Sequence, residues 1–325
     1  MFFSLEDFIF SLNCTMPVFL VMVLGQFLYR QKMLTQNFVD VCNKFVFKVS
    51  LPFMLFRDMA SMNLKEEFDI YFVLFCGISA LIGVFVAWIL ARTFIKDKSI
   101  IAEWVQGSYR GSIAVLGGAF LLNIYPDGEA TKVVAQSLLS SVIIFNVMAV
   151  VILVLERPNN EDKSQLNLYI KKAVLQIVQN PLIISILLGA VASLINLKVP
   201  YIIDKTMANV ASLTSPLALL AVGAEFKVDK MKSYLKAILS ACSYKLLIQP
   251  AMFLPIAVLL GWRDEWLVTL MIMLGAPTTT SSFIMAKNMG YDGSMTTNII
   301  AGTTLFSAAS VTLWLFLGRT FGLIA

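Results

Sequence analysis

The sequence predicts an all-α integral membrane protein, with ten transmembrane helices in two inverted five-helix repeats and crossing broken helices at spans 4 and 9. Three observations lead there: an apolar excess, an alternation of lysine and arginine between successive loops, and landmarks that recur at a constant offset. Of the 325 residues, 58% are hydrophobic and 14% charged, against roughly 45–50% apolar and about 25% charged in soluble globular chains. The mean hydropathy is +0.81, so the surplus is spread over the whole length. Segments of about 20 residues cross a hydrocarbon core of about 30 Å, and ten of them leave no room for a separate soluble domain.

Taken in order, the apolar runs are Phe8 to Tyr29, Phe38 to Ala60, Ile70 to Ile95, Ile101 to Asn123, Thr131 to Leu155, Leu168 to Ile195, Tyr201 to Ala224, Tyr234 to Gly261, Trp266 to Asn288 and Ser294 to Leu317. They are continuous rather than alternating, which excludes an outer-membrane barrel. The lead-in MFFSLED carries two acids and no base, so the first run is not read as a cleaved signal peptide. Basic residues gather in every second loop: Arg30 and Lys32; Arg92, Lys96 and Lys98; Arg157 and Lys163 with Lys171 and Lys172; Lys227, Lys230, Lys232 and Lys236. Such loops stay cytoplasmic. The others are sparse or acidic, as in Lys65-Glu66-Glu67 and Arg263-Asp264-Glu265. A multi-pass protein of the cell inner (plasma) membrane with both termini outside the cytoplasm is expected. The polar stretch Glu156 to Gln165 reads as a cytoplasmic linker between residues 1–155, the first repeat, and 166–325, the second.

The net charge of +5 comes from bases at the ends of apolar runs, where they act as topology signals and face lipid headgroups; no nucleic-acid partner is expected. Cys14, Cys42, Cys76 and Cys242 are widely spaced and histidine is absent. No metal site and no cofactor follow from that pattern. Catalysis would need a histidine base, a GxSxG elbow or paired intramembrane acids, and the sequence has none of them, so no enzyme is expected.

Pro17 and Pro181 are 164 residues apart, as are Pro52 and Pro216; Asn123-x-x-x-Asp127-Gly128 returns as Asn288-x-x-x-Asp292-Gly293 at 165. Each half holds an odd number of spans, so repeated halves point in opposite directions. Secondary transporters are commonly built this way, with substrate bound where two discontinuous helices meet near the midplane.

Spans 4 and 9 carry the breaks. Span 4 holds Gly107, Gly111, Gly117 and Gly118, costly in a helix interior and useful where backbone unwinds or packs closely. In span 9, Pro277 removes a backbone donor, and Thr278, Thr279, Thr280, Ser281 and Ser282 offer hydroxyls to freed carbonyls or to a ligand. An offset of 165 sets Pro277 opposite Ser112, roughly 11 residues into its span and so about midway at 1.5 Å per residue. Arg110 is the sharpest residue, because a guanidinium at mid-span costs at least about 2.5 kcal/mol. Two readings stand: an anion site, with the fork holding a carboxylate and half-helix N-termini assisting, or a structural cap on broken-helix carbonyls or partner of an acid. Lys44, Lys48 and Lys245 read as snorkelling side chains. Gln136 and Asn146 of span 5 line a cavity or bond a neighbouring helix. Asp40, Asp58, Glu103 and Glu225 fall toward helix ends, which gives little support to a carboxylate proton relay or an acidic sodium site.

The segments VSLPFMLFRDM, YRGSIAVLGGAFLLNIYPDGE and above all LGAPTTTSSFIMAKNMGYDG resemble the auxin efflux carrier family, whose bacterial members include malate and malonate permease-like proteins. The resemblance covers nearly the whole chain. It implies a scaffold of spans 1, 2, 6 and 7, often dimeric, a moving unit of spans 3 to 5 and 8 to 10, and carriage of a small organic anion by elevator-like alternating access. It places the substrate at the crossing: Tyr109, Arg110, Gly111 and Ser112 with Pro277, Thr278, Thr279 and Thr280. The chain departs from the family pattern in having Ser112 where an asparagine is common and glycine near Gly118 where a proline is, and it lacks the long cytoplasmic loop of plant members. The expected partners are a small mono- or dicarboxylate, the lipid bilayer and a second copy of the chain. The alternatives are a sodium-coupled symporter of bile acid carrier type and a metabolite-binding membrane sensor.

Overall fold

A computed structural model of the chain describes residues 5–61, 68–113, 117–125, 129–156, 175, 179, 181–225, 234–279 and 281–325. Several sequence landmarks lie outside the described residues: Thr280, Asp127, Gly128, linker positions 157–165, the Lys65-Glu66-Glu67 loop, and the basic residues Lys171, Lys172, Lys227, Lys230 and Lys232. The described part is helical, and its sole β feature is an isolated antiparallel bridge between Gly111 and Thr278. Among the described residues, five stretches are long and apolar enough to cross a membrane: Ile70–Phe94, Lys132–Leu155, Tyr201–Ala224, Leu235–Leu259 and Ser294–Thr320. The protein is therefore a multi-pass membrane protein.

Helix α1 (Leu5–Arg30) runs unbroken through Pro17. Helix α2 (Gln36–Phe45) is capped by Thr35, whose hydroxyl accepts from the Phe38 amide, and passes through a π turn (Val46–Ser50) into α3 (Leu51–Ser61). The wide turn has a local cause. Pro52 lacks an N–H and its ring crowds the carbonyl one turn back, which widens the helix there. The same device recurs where α11 (Leu235–Ser243) passes through the π turn Tyr244–Ile248 into α12 (Gln249–Leu259), two residues into which lies Pro250. Helix α4 (Ile70–Phe94) is capped by Asp69, which accepts from the Tyr71 and Phe72 amides. Its far end is held by Glu156, which accepts from Trp88 Nε1 and Arg92 Nε, both at 2.6 Å.

The expected breaks in spans 4 and 9 are present as helix ends. Helix α5 (Ile101–Tyr109) stops at Arg110, which is extended, and α6 (Gly118–Ile124) follows. Helix α13 (Asp264–Gly275) stops at Ala276, also extended, and α14 (Ser281–Asn288) follows. Helices α7 (Glu129–Leu155), α8 (Pro181–Leu194) and α15 (Ser294–Thr320) are, like α1 and α4, uninterrupted, while α9 (Tyr201–Ala211) and α10 (Thr214–Glu225) are separated by a short kink.

Packing joins the whole helical bundle, with α1 also lying on α15 and α6 and α3 on α7. Helices α1, α2, α3, α8, α9 and α10 contact one another through α1 on α10, α3 on α8 and α9, and α2 on α10. The α1–α10 crossing is close because Gly25 and Gly223 lie on it: a Cβ on Gly223 would stand 1.9 Å from the Met22 carbonyl oxygen, and one on Gly25 2.3 Å from that of Leu220. Small residues allow such approach where lipid removes the hydrophobic drive for association. Helix α5 packs on α4, α7, α11 and α15, and α13 packs on α7, α12 and α15. Both interrupted helices are thus enclosed by protein, the condition under which irregular backbone is tolerated at membrane depth.

Candidate functional site

The two interruptions pair with each other. The Ser112 amide donates to the Pro277 carbonyl at 2.8 Å, the Thr279 amide donates to the Arg110 carbonyl at 3.1 Å, and Gly111 faces Thr278 between them. Residues 110–112 and 277–279 form a short antiparallel ribbon that satisfies backbone groups no longer served by helix. Thr278 finishes the work. Its hydroxyl donates to the Gly107 carbonyl at the end of α5, and its amide donates to Thr303 Oγ1 on α15 at 3.1 Å. Gly111 is obligatory here, since a Cβ would meet the Met273 carbonyl oxygen at 2.7 Å and Lys245 Nζ at 2.9 Å.

Arg110 is 5% exposed. Its Nη2 donates to Asn146 Oδ1 on α7 at 2.6 Å, and Nη1 approaches the Met285 sulfur on α14 at 3.6 Å. Asn146 is fixed for this task because its own Nδ2 donates to the Val142 carbonyl at 2.8 Å, leaving the oxygen toward the guanidinium. Among the described residues no carboxylate lies within ion-pair distance of Arg110; the ion pairs present are Arg57 with Asp204 and Arg92 with Glu156. Among the described residues, Arg110 neither bonds a broken-end carbonyl nor pairs with an acid. The carbonyls at the broken ends are served instead by Lys245.

Lys245 corrects the sequence reading. A snorkelling side chain would reach the interface, yet Lys245 is 0% exposed. Its Nζ lies 3.2 Å from the Tyr109 carbonyl, 3.5 Å from the Met273 carbonyl and 3.5 Å from Gln249 Oε1, and it also donates to the Leu274 carbonyl. The π turn Tyr244–Ile248 carries it inward between α5 and α13. Lys44 and Lys48 are exposed, in keeping with snorkelling.

The remaining expected residues divide. Tyr109 is buried, with its hydroxyl donating to the Phe145 carbonyl at 3.2 Å, so it joins α5 to α7 while its carbonyl faces Lys245. Ser112, Pro277 and Thr278 are buried and Thr279 half-buried at the ribbon. Gln136 is not brought there: it accepts from the Asp69 amide at 2.8 Å, at the start of α4. Sequence reasoning passed over Gln106 and took Ser282 only as the last of a run of hydroxyls. Both amide atoms of Gln106 and the hydroxyl of Ser282 are buried without a hydrogen-bond partner among the described residues. Gln106 stands four residues before Arg110 and Ser282 three before Met285, spacings that share a helix face. The available signal was that i, i+4 spacing from Arg110. Among the described residues, no three His, Cys, Asp or Glu side chains are grouped to hold a metal.

A guanidinium carries five N–H donors, and here a neutral amide oxygen and a weakly accepting sulfur are its partners. Buried donors so weakly matched favour an incoming carboxylate, which accepts two parallel hydrogen bonds from the fork.

Comparison with known proteins gives the family of the chain. The chain is 24% identical over 317 residues to the "Uncharacterized transporter YfdV" of Escherichia coli (strain K12), covering 95% of this chain and 98% of that protein. It is 22% identical over 281 residues, 86% of each, to a protein of Rhizobium meliloti (strain 1021) described as "Putative malonate transporter". Residues 10–315 match the Mem_trans family, described as membrane transport protein, and the chain belongs to that family, the auxin efflux carrier family of membrane transporters.

Proposed function

We infer that this protein is a secondary transporter of a small organic anion, a dicarboxylate such as malonate or malate, and that it works by alternating access. The observation that carries the reading is Arg110: a buried cation beside two paired helix interruptions, with no carboxylate partner among the described residues. In this reading Arg110 takes the substrate carboxylate, Gln106 and Ser282 supply hydrogen bonds, and Asn146 aims the guanidinium. The malonate assignment of the Rhizobium relative supports a dicarboxylate, although at 22% identity it bears on class alone.

The internal two-fold is part of the proposal. A residue that touches its own repeat counterpart lies on the axis relating the repeats. Thr214 Oγ1 donates to Ser50 Oγ at 3.0 Å, and these residues are 164 apart; Ser112 and Pro277, bonded through their backbones, are 165 apart. Two self-contacts at the offsets of the sequence landmarks, 164 and 165, support ten spans in inverted repeats. The extensive packing of α3 on α8 and of α1 on α10 supports grouping spans 1, 2, 6 and 7 as a scaffold, with the others as a moving unit.

The test is uptake by the full chain in liposomes, offering radiolabelled malonate, malate and indole acetate. Saturable uptake of one dicarboxylate is expected, with Arg110→Ala weakening apparent affinity at least about tenfold, or about 1.4 kcal/mol. Folded Arg110→Ala protein with unchanged affinity and flux would remove the site.

A further inference from the structure

Lys245 has an environment that packing alone does not require. It is a fully buried cation with no acid within ion-pair distance among the described residues. An uncompensated buried charge is strongly disfavoured unless hydrogen bonds replace its water. Its surroundings do so with oxygen alone: the carbonyls of Tyr109, Met273 and Leu274 and the amide oxygen of Gln249. Three of the four come from the last turns of α5 and α13. Those carbonyls have no onward helical donor and form the negative ends of two helix dipoles.

An all-oxygen cage is the ligand set that hard cations select. In transporters with interrupted helices, such carbonyl ends hold the coupling ion. The cage here is already filled from within. Gly111 makes room for the ammonium, since its missing Cβ would stand 2.9 Å from Nζ. Two C-terminal ends pointing at one spot repel, and a cation between them reverses the sign.

We propose that Lys245 is a tethered cation occupying an internal alkali-cation site, where it holds the ends of the two interrupted helices together and makes the protein independent of external sodium. Lys245 is a positioning residue in this scheme. It touches the backbone at Tyr109, immediately before Arg110, and so fixes where the anion-binding guanidinium starts. Removing the side chain empties a cage that a small free cation can enter.

The experiment is thermal unfolding of the purified full-length protein in sodium, potassium, methylammonium or N-methylglucamine chloride at constant ionic strength. It needs no substrate, so its failure is separable from failure of the anion reading. The wild type is expected to unfold at one temperature in all four salts. Lys245→Ala is expected to unfold earlier and to recover saturably with methylammonium or sodium but not with N-methylglucamine, a response that lost packing would not give. Lys245→Gln keeps donors without the charge and serves if the alanine variant does not fold; it too is expected to gain the small-cation response. Saturable sodium stabilisation of the wild type overturns the proposal. So does a folded variant whose stability equals the wild type or does not distinguish small cations from N-methylglucamine. Should neither variant fold, the wild-type salt series alone decides.

Discussion

The Ser112 amide donates to the Pro277 carbonyl at 2.8 Å, so the two chain interruptions of this transporter are tied to each other through backbone as well as through the Thr278 hydroxyl. Proline explains the direction of the bond. It has no N–H to give, so at this point of the ribbon the chain around Pro277 acts as acceptor and the chain around Ser112 as donor. One pairing thereby satisfies groups from both breaks in a region where water is excluded.

Gly111 and Gly118 separate steric need from tolerance. Alanine at 111 would press its Cβ to 2.7 Å from the Met273 carbonyl oxygen and against Lys245 Nζ, whereas at 118 the nearest atom is Met54 Cε at 3.6 Å. Overpacking of this kind costs about 1–3 kcal/mol. Gly111→Ala is expected to lower the unfolding temperature and abolish uptake, and Gly118→Ala to leave both near wild type. Equal behaviour of the two variants in a thermal scan would contradict the placement of the ribbon.

Thr278→Val keeps the shape and removes the hydroxyl that donates to the Gly107 carbonyl. That carbonyl is then buried without its donor, which costs about 1–3 kcal/mol. Chemical unfolding in detergent should show the loss, while Thr206→Val, whose hydroxyl bonds back to the Ile202 carbonyl on an exposed turn, should change little.

Glu103 ties α5 to α15. Its carboxylate accepts from the Gly293 amide at 3.0 Å, the Thr296 amide at 2.9 Å and Thr296 Oγ1 at 3.0 Å. A negative group at a helix N-terminus is favoured by the dipole as well as by the free N–H groups. Glu103→Gln turns one acceptor into a donor facing a donor, and a loss of about 1–3 kcal/mol is expected. Amide hydrogen exchange should quicken in the first turn of α15 more than at its C-terminal end; uniform exchange along α15 would argue against the cap.

What the sequence could and could not convey follows from the type of interaction. The five long apolar spans are legible because apolar length is a property of composition, and the breaks are legible because glycine and proline act on their own backbone. The offset of 165 between the sequence landmarks set Ser112 opposite Pro277, and the two are bonded through their backbones. Lys245 was misread for the opposite reason. Its burial depends on carbonyls of α5 and α13 that lie 136 and 29 residues away along the chain, and a main-chain oxygen leaves no mark in a sequence. Gln136 was grouped with Asn146 because both are polar residues on α7, but they are ten positions apart along it, and Gln136 serves the start of α4 instead. Arg110 was conspicuous as a charge, while the absence of an acid beside it among the described residues is a fact of three dimensions.

The contact between Arg110 and Asn146 yields the sharpest functional prediction. Asn146 Oδ1 already lies 2.6 Å from Nη2, so Asn146→Asp places a carboxylate on the guanidinium with little change in shape. A resident anion of this kind competes with an incoming one, and because a charge-assisted bond is roughly twice as strong as a neutral one, the competitor is effective. Apparent affinity for the anionic substrate should fall at least about tenfold, which is about 1.4 kcal/mol. Asn146→Ala should weaken it less, since it loosens the guanidinium without occupying it. Unfolding of Asn146→Asp should stay at or above the wild-type temperature, because a buried cation gains a partner. Aspartate and alanine variants that transport alike would mean that the substrate does not meet Arg110, and the site would then have to be sought elsewhere along the ribbon.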